Sequence, residues 1–498
     1  MSCFEGKMKE YPEVSLDRFD GLNLQSTGYF LSHCHADHLV GLNSPEFSVR
    51  LSQNPSIRLY CSEVTASLLL AIKRFEHLHP YIDKLQIDEE VLLSLPRLSD
   101  NDGPHERSLA VTLIPAGHCP GSVMFLIKGN EGAVLYTGDF RFQVGQTVRL
   151  TSLFSRTKGY TLRTSIKSVY VDTTFCVPEA FSIPTCQECL KLITETIQNW
   201  VSRTNKYLVH IFSRSSYGYE FLMNELASRF KCQIHVTEKQ YQKYRFVPAI
   251  LRVLTTDPNS TKIHFCQLGV ISNVEEDLEL CKQRSKFNRT ELPCLKDLRH
   301  APAILQIIPS VMFFARGDKV TPSQMSYCES ETVLRLCYSS HSSYEEIIDF
   351  LRAIKPENIF PNVCPNAQLS LADIRAQLCY LETKPSTSSS MASSNFGPVK
   401  FNKNRKLAYM GYTDELGTQP TTPKLLCKDP KREQISQNET CQATSSCSEL
   451  PCNDPKPEEI AEHEVYQPST SKPKPKEAVN FKLKFEIPDS LELLDQLI

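Results

Sequence analysis

Tyr29-Phe30-Leu31-Ser32-His33-Cys34-His35-Ala36-Asp37-His38 is a short apolar run that passes directly into four potential metal ligands within six residues. Tyr29 to Ser32 reads as a buried strand. A compact loop following a strand points alternate side chains into one cleft. This spacing can therefore supply His33 and His35 to one cation, and Asp37 and His38 to a second. A lone histidine is usually structural, but three histidines and an aspartate packed this densely are not.

One loop cannot close a cage, so further ligands must come from other strand ends. Val111 to Ile114 reads as a strand that ends in Pro115-Ala116-Gly117-His118-Cys119-Pro120-Gly121-Ser122, where glycines and prolines force a tight turn that presents His118. Ala133 to Tyr136 reads as another, ending in Thr137-Gly138-Asp139, whose carboxylate could bridge two cations. Asp17 could orient one of the histidines from behind. A ligand set of His and Asp without a thiolate suits a hard-to-borderline divalent ion with open positions, which points to catalysis before a closed structural site.

The 498 residues suffice for roughly two or three domains with real cores. With 41% hydrophobic and 22% charged residues, a fibrous, collagen-like or wholly disordered chain is excluded. Lys plus Arg number 55 against 57 Asp plus Glu, a net charge of -2, so nucleic-acid binding must rest on local patches. Residues 1–16 lack the apolar core of a signal peptide, and no stretch approaches a membrane span. A soluble intracellular monomer without membrane contact is expected, its 19 cysteines reduced apart from a few metal ligands.

Up to Pro385 the chain alternates strand-like runs with helical periodicity, as in Leu208 to Phe212 followed by Tyr217 to Phe230, which is α/β patterning. Thr185 and Glu188 form a capping-box signature before Leu190, Ile193, Ile197 and Val201. Cys186 and Cys189 on that first turn read more readily as ordinary helix residues than as a metal or redox pair. From Ser386 the composition turns to Ser, Thr, Pro, Lys and Glu, so residues 386–498 are expected to be a disordered regulatory or interaction tail. Phe481 to Ile498 regains interleaved apolar and acidic residues that could form a partner-binding helix.

The series HCHADH, AGHCPGS and YTGDF, each at a strand end, resembles the metallo-β-lactamase fold, a four-layer αββα sandwich with metals at one edge. Asp172 in Val171-Asp172-Thr173-Thr174-Phe175, His341 in Ser339-Ser340-His341-Ser342-Ser343 and Val363 in Phe360-Pro361-Asn362-Val363 resemble motifs A, B and C of its nucleic-acid-processing β-CASP branch. A valine at the third motif resembles the DNA-acting members. The likeness covers about residues 1–385. It implies a discontinuous metallo-β-lactamase domain, 1–154 plus 316–385, with an inserted α/β β-CASP domain at 155–315.

The resemblance also implies a metal-dependent DNA endonuclease and 5′ exonuclease, acting at hairpins, overhangs and single-strand/double-strand junctions. Its setting would be the nucleus, in double-strand break repair by non-homologous end joining and, where present, V(D)J recombination. DNA-dependent protein kinase catalytic subunit and DNA ligase IV would be partners, and a crosslink-repair type 5′ exonuclease is the alternative. The implied site has His33, His35 and His118 on one Zn(2+), Asp37 and His38 on a second, Asp139 bridging, and Asp172 and His341 completing the pocket, with Asp17 behind. Mg(2+) is an alternative metal. A structural zinc is implied at His235, His264, Cys266 and Cys294, with Cys281 an alternative fourth ligand. DNA contacts are expected from Lys239, Lys243 and Arg245 in the Lys- and aromatic-rich run 239–246, from Arg214 in a Ser-rich turn that could grip phosphate, and from Lys158.

Overall fold

The apolar run leading to His33 becomes the second strand of a small parallel sheet in the computed structural model. The structure describes residues 3–96, 106–157, 159–203, 207–213, 215–267, 292, 294, 303–316, 321–365 and 370–382. Strands β1 (Val14–Leu16), β2 (Gly28–Phe30), β3 (Arg58–Ser62) and β4 (Ile82–Leu85) pair in that order, all parallel. Helices α1 (Pro45–Gln53) and α2 (Glu63–Leu70) cover this sheet with Phe47, Leu51, Leu68 and Leu69. Both start on a serine that accepts a backbone N–H: Ser44 from Phe47, and Ser62 from Thr65.

A second sheet follows from β5 (Glu90–Pro96), β6 (Glu106–Pro115), β7 (Val123–Gly129) and β8 (Gly132–Tyr136), which run antiparallel. After a two-stranded hairpin, β9 (Phe154–Ser155) and β10 (Thr161–Leu162), strand β11 (Ile166–Val171) lies parallel to β8. Val123 to Ile127 are buried on both faces of β7, as expected of a strand packed between layers. One face meets Phe30, Tyr60 and Leu16 of the first sheet. The other meets Ile347, Phe350 and Leu351 of a helix described below. The layers are therefore helix, sheet, sheet, helix.

The chain then builds a third sheet. Helix α3 (Cys186–Val201) opens with the Thr185/Glu188 capping box. Cys189 is buried and donates its thiol to Cys337 O at 3.1 Å, so this cysteine is a packing residue. Strands β12 (Leu208–Ile211), β13 (Ile234–His235), β14 (Leu254–Thr255), β15 (Ile263–His264), β16 (Ile304–Pro309), β17 (Ser326–Ser330) and β18 (Val333–Leu336) pair in the order β14-β13-β15-β12-β16-β18-β17, with only β17 antiparallel among the described strands. Between them lie α4 (Glu220–Phe230), α5 (Glu238–Lys243), α6 (Pro248–Leu251) and α7 (Val311–Arg316). Helix α4 starts three residues later than its periodicity suggests, because Gly218 adopts φ +103 and its N–H is taken by the Glu220 carboxylate at 2.7 Å. The chain returns through α8 (Tyr344–Ile354) to β19 (Asn358–Pro361), parallel to β11 at the edge of the second sheet, and ends its described part in α9 (Leu371–Glu382).

Sheet membership does not follow the expected boundaries at 155 and 316. Strand β11 belongs with the second sheet, while β17 and β18 belong with the third. Patterning could not reveal this, since a buried parallel strand reads alike in either sheet. The expected tail, residues 386–498, lies outside the described residues. Among the described residues no helix is long and apolar enough to cross a membrane.

Candidate metal centre

The loop after β2 alternates as its spacing predicts. His33 and His38 are buried towards one cleft, whereas Cys34 turns into the core and donates to Thr65 O at 3.4 Å. Residues Ala36–His38 form a single 3-10 turn, which brings His38 back over His33, their ring centroids 4.2 Å apart. In the turn after β6, the hydroxyl of Ser122 accepts the N–H groups of His118 and Cys119 and so fixes the direction of His118. At the end of β8, Gly138 has φ +52, and a Cβ there would lie 2.7 Å from Ser32 Oγ. Only glycine lets the chain turn Asp139 into the cleft this close to the first sheet.

The three strand ends converge. Nδ1 of His35 lies 3.0 Å from His33 Nε2 and 2.9 Å from His118 Nε2. Asp139 Oδ2 stands among them, 3.5 Å from His33 Nε2, 3.6 Å from His118 Nε2 and 3.4 Å from His38 Nε2. Asp37 Oδ2 is 4.0 Å from His38 Nε2 on the more open side.

Each imidazole has one nitrogen engaged on its outer side. His118 Nδ1 donates to Ser340 O at 2.8 Å, and His35 Nε2 to Tyr217 O at 3.4 Å. His38 Nδ1 donates to Asp17 Oδ2 at 2.8 Å. His33 Nδ1 donates to Ser32 Oγ at 2.9 Å, because that hydroxyl gives its own proton to Asp17 Oδ2 at 2.6 Å. Nε2 of His33, Nδ1 of His35 and Nε2 of His118 are thus left as bare lone pairs facing one another, and Nε2 of His38 faces the Asp139 carboxylate. The buried Nε2 of His38 makes no hydrogen bond of acceptable geometry. Lone pairs this close repel unless a cation lies between them, so the residues fit a metal.

Charge supports this. Burial, and then His38, hold His33 well below the ordinary imidazole range; burial and His341 do the same to His118. These rings are neutral and can ligate. Burial would also lower His38, but Asp139, Asp37 and Asp17 outweigh it and raise its pKa well above that range. Burial would raise Asp139, yet His38 and His341 hold it well below the carboxylate range. The pocket carries a carboxylate surplus that a cation neutralises.

Asp17 is the hub behind the ligands. It accepts from Ser32 N at 2.7 Å, Ser32 Oγ, His38 Nδ1 and Tyr136 Oη at 2.8 Å, and so orients His38 directly and His33 through Ser32. Its φ of +52 is tolerated by asparagine. Asp17→Asn should therefore keep the backbone while offering an amide to donors that need an acceptor. Metal affinity of the centre, measured by chelator competition, is expected to fall about 10- to 100-fold. Ser32, Ser122, Tyr136 and the Ser340 and Tyr217 carbonyls were not foreseen from sequence; a serine next to a ligand histidine was the one available signal.

Beside the cluster, His341 Nδ1 donates to Asp172 Oδ2 at 2.9 Å and lies 4.0 Å from Asp139 Oδ2. Asp172 also accepts from Thr174 N and Oγ1. Thr173 Oγ1 donates to Val363 O and accepts Val363 N at 3.2 Å, which ties the loops of Asp172 and Val363 together.

A second cluster forms at the carboxyl ends of β13 and β15, where His235 and His264 stand in register. Their Nδ1 atoms are 3.1 Å apart, Cys294 Sγ is 3.5 Å from His264 Nδ1, and Cys266 Sγ is 3.7 Å from Cys294 Sγ. Tetrahedral zinc with Zn–S about 2.3 Å and Zn–N about 2.05 Å implies edges of about 3.3, 3.6 and 3.8 Å in that order, which these distances approach. Cys266, donating to Cys294, holds the Cys294 thiol far below the ordinary range. Cys294 thus joins the other three; Cys281 lies outside the described residues.

The expected DNA contacts fare differently. Arg214 and Lys158 lie outside the described residues. Lys239 is exposed on α5, and Lys243 Nζ sits 5.6 Å from the centre of the Tyr217 ring, whose carbonyl faces His35. Arg245 bonds Leu70 O at 3.2 Å and pairs with Glu76 at 3.3 Å. The run is not a stacking surface throughout. Tyr244 is buried with its hydroxyl on Glu220, Tyr241 packs against the core, and among the rings of this run Phe246 is the exposed one. Tyr241, Tyr244 and Val247, three residues apart, form an inward face that composition alone conceals.

Residues 248–367 match the family described as DNA repair metallo-beta-lactamase. The chain is 41% identical over 367 residues to the protein Artemis of Pongo abelii and 40% identical over 369 residues to that of Homo sapiens, in each case across 73% of this chain and 50% of the relative. It is 29% identical over 336 residues to the 5′ exonuclease Apollo of Rattus norvegicus, across 67% of this chain and 50% of that one. The chain thus spans about half the length of these relatives. By its strand-end ligands and by these likenesses, the chain resembles DNA repair metallo-β-lactamases over residues 248–367 and is more similar in sequence to Artemis than to Apollo.

Proposed function

We propose that this chain is a metal-dependent DNA nuclease that hydrolyses phosphodiester bonds at hairpins, overhangs and single-strand/double-strand junctions, with 5′ exonuclease activity, in end joining of double-strand breaks. The observation that carries the reading is the convergence of four imidazoles on one cleft, with Asp139 Oδ2 within 3.6 Å of His33, His38 and His118, beside the Asp172–His341 pair. In this reading His33, His35 and His118 would hold one zinc and Asp37 and His38 a second, with Asp139 as the carboxylate that would serve both; Mg(2+) is the alternative ion. The His235, His264, Cys266 and Cys294 cluster holds a structural zinc. The lactamase-like part comprises residues up to about 171 and from about 339 to 382, around the third sheet. The nucleus, the DNA-dependent protein kinase catalytic subunit and DNA ligase IV complete the proposal.

A divalent cation at such a site lowers the pKa of water and neutralises charge developing on phosphoryl oxygens. The chain's residues do the rest. Asp17 and Ser32 lock the imidazoles, so little reorganisation accompanies the reaction. Burial opposes protonation of His341, but Asp172 and then Asp139 outweigh it and raise its pKa to about 9. Its imidazolium is the donor to the scissile phosphate or the leaving oxygen, with Asp172 holding the ring.

The test is cleavage by the purified full chain of labelled DNA hairpins, 5′ overhangs and single strands, with and without chelator. Nicking near the hairpin tip that needs metal is expected. Digestion only from free 5′ ends would replace this reading with an Apollo-like exonuclease, and no DNA cleavage would refute both. His341→Ala should lower kcat about 100- to 1,000-fold with metal content unchanged.

A further inference from the structure

We propose that Arg141 is a positioning residue of this centre, setting the loop 339–343 that presents Ser340 O to His118 and His341 to Asp172. The inference rests on the nuclease reading above. Arg141 follows Asp139 by two residues, and its side chain is 4% exposed. Nη1 donates to Ser339 O at 2.7 Å, and Nη2 donates to Pro184 O at 2.8 Å and Ile183 O at 3.4 Å while pairing with Glu346 Oε1 at 3.3 Å. Glu346 is buried as well, and its other oxygen accepts the Ser343 N–H at 2.7 Å. One guanidinium therefore grips residue 339 directly and residue 343 through Glu346, at the two ends of the loop.

Between these ends the loop is drawn onto the same strand end. Ser342 N donates to Phe140 O at 2.9 Å, and Ser339 Oγ both accepts the His341 N–H at 2.8 Å and donates to His341 O at 2.7 Å. The loop's two functional atoms follow: Ser340 O fixes the His118 tautomer, and His341 Nδ1 meets Asp172. Burying a cation is costly, and apolar packing would stabilise this position as well or better. What the arginine supplies instead is a planar fork that reaches several acceptors in fixed directions, which lysine cannot do.

The experiment compares the full-chain wild type with Arg141→Lys, His341→Ala and the double variant. Cleavage kinetics, metal content and amide hydrogen exchange of residues 339–343 in metal-free protein are measured. A loop displaced by about 1 Å should lower kcat of Arg141→Lys about 100-fold with KM within about twofold. Exchange in 339–343 should rise, and the loss in the double variant should fall well short of the product of the two single losses. Additive losses, or unchanged kcat and exchange, would overturn the proposal. Should Arg141→Lys not fold, Glu346→Gln, which weakens the grip of Arg141 on residue 343, carries the test, with a kcat loss and faster exchange in 339–343 expected and wild-type kcat and exchange overturning it. A wild type that cleaves no DNA counts against the nuclease reading, whereas hydrogen exchange judges the loop independently.

Discussion

Asp139→Ala is expected to remove metal-dependent cleavage almost completely, lowering kcat/KM about 1,000-fold or more, as loss of several kcal/mol of charge stabilisation implies. One oxygen of this side chain stands 3.4 to 3.6 Å from three imidazole nitrogens. No other carboxylate among the described residues occupies that position. Without it, the inner lone pairs lose the anion that would share a cation with them. The fold should persist, because the Gly138 turn and the Arg141 contacts do not depend on the carboxylate. Kinetics together with metal content decide the matter: activity and active-centre metal should fall together while the second cluster keeps its zinc. Full activity in Asp139→Ala would exclude this site.

The second large effect concerns stability. Cys266→Ser and Cys294→Ser should each cost one equivalent of zinc. The thermal midpoint of the part around the third sheet is expected to fall by about 10 °C, since losing some 3 to 5 kcal/mol moves a domain of roughly 150 to 250 residues by about 2 to 4 °C per kcal/mol. The cluster pins Cys294 to strands β13 and β15, and Cys266, Leu292 and Ile304 form a small core of their own there. Apolar packing that small contributes little without the metal. Cys281→Ser is the control, and zinc content and midpoint should both be unchanged. Zinc lost from Cys281→Ser but retained in Cys294→Ser would reverse the assignment of the fourth ligand.

The boundary between legible and illegible features follows the range of the interactions. His33, His35, Asp37 and His38 were readable because six consecutive residues set their own geometry. His118 and Asp139 were readable because strand-then-turn patterns announce where a side chain will be presented. Asp172 and His341 became visible only through resemblance, being 169 residues apart and joined by one hydrogen bond. The basic-aromatic run was overread, since composition did not show that Tyr244 would bury its hydroxyl on Glu220. Strand β11 was assigned to the inserted part by the resemblance, and patterning could not correct this because a buried parallel strand does not reveal its neighbours.

The amino-acid sequence alone determined which residue types gather at the candidate metal centre and that the chain is α/β, because both are written in local spacing and periodicity. Tertiary structure decided which nitrogen of each histidine is bare. The outer partners, Ser340 O for His118 and Tyr217 O for His35, lie 222 and 182 residues away. A tautomer is fixed by whatever acceptor the fold places behind the ring, and no local pattern encodes a partner at that distance.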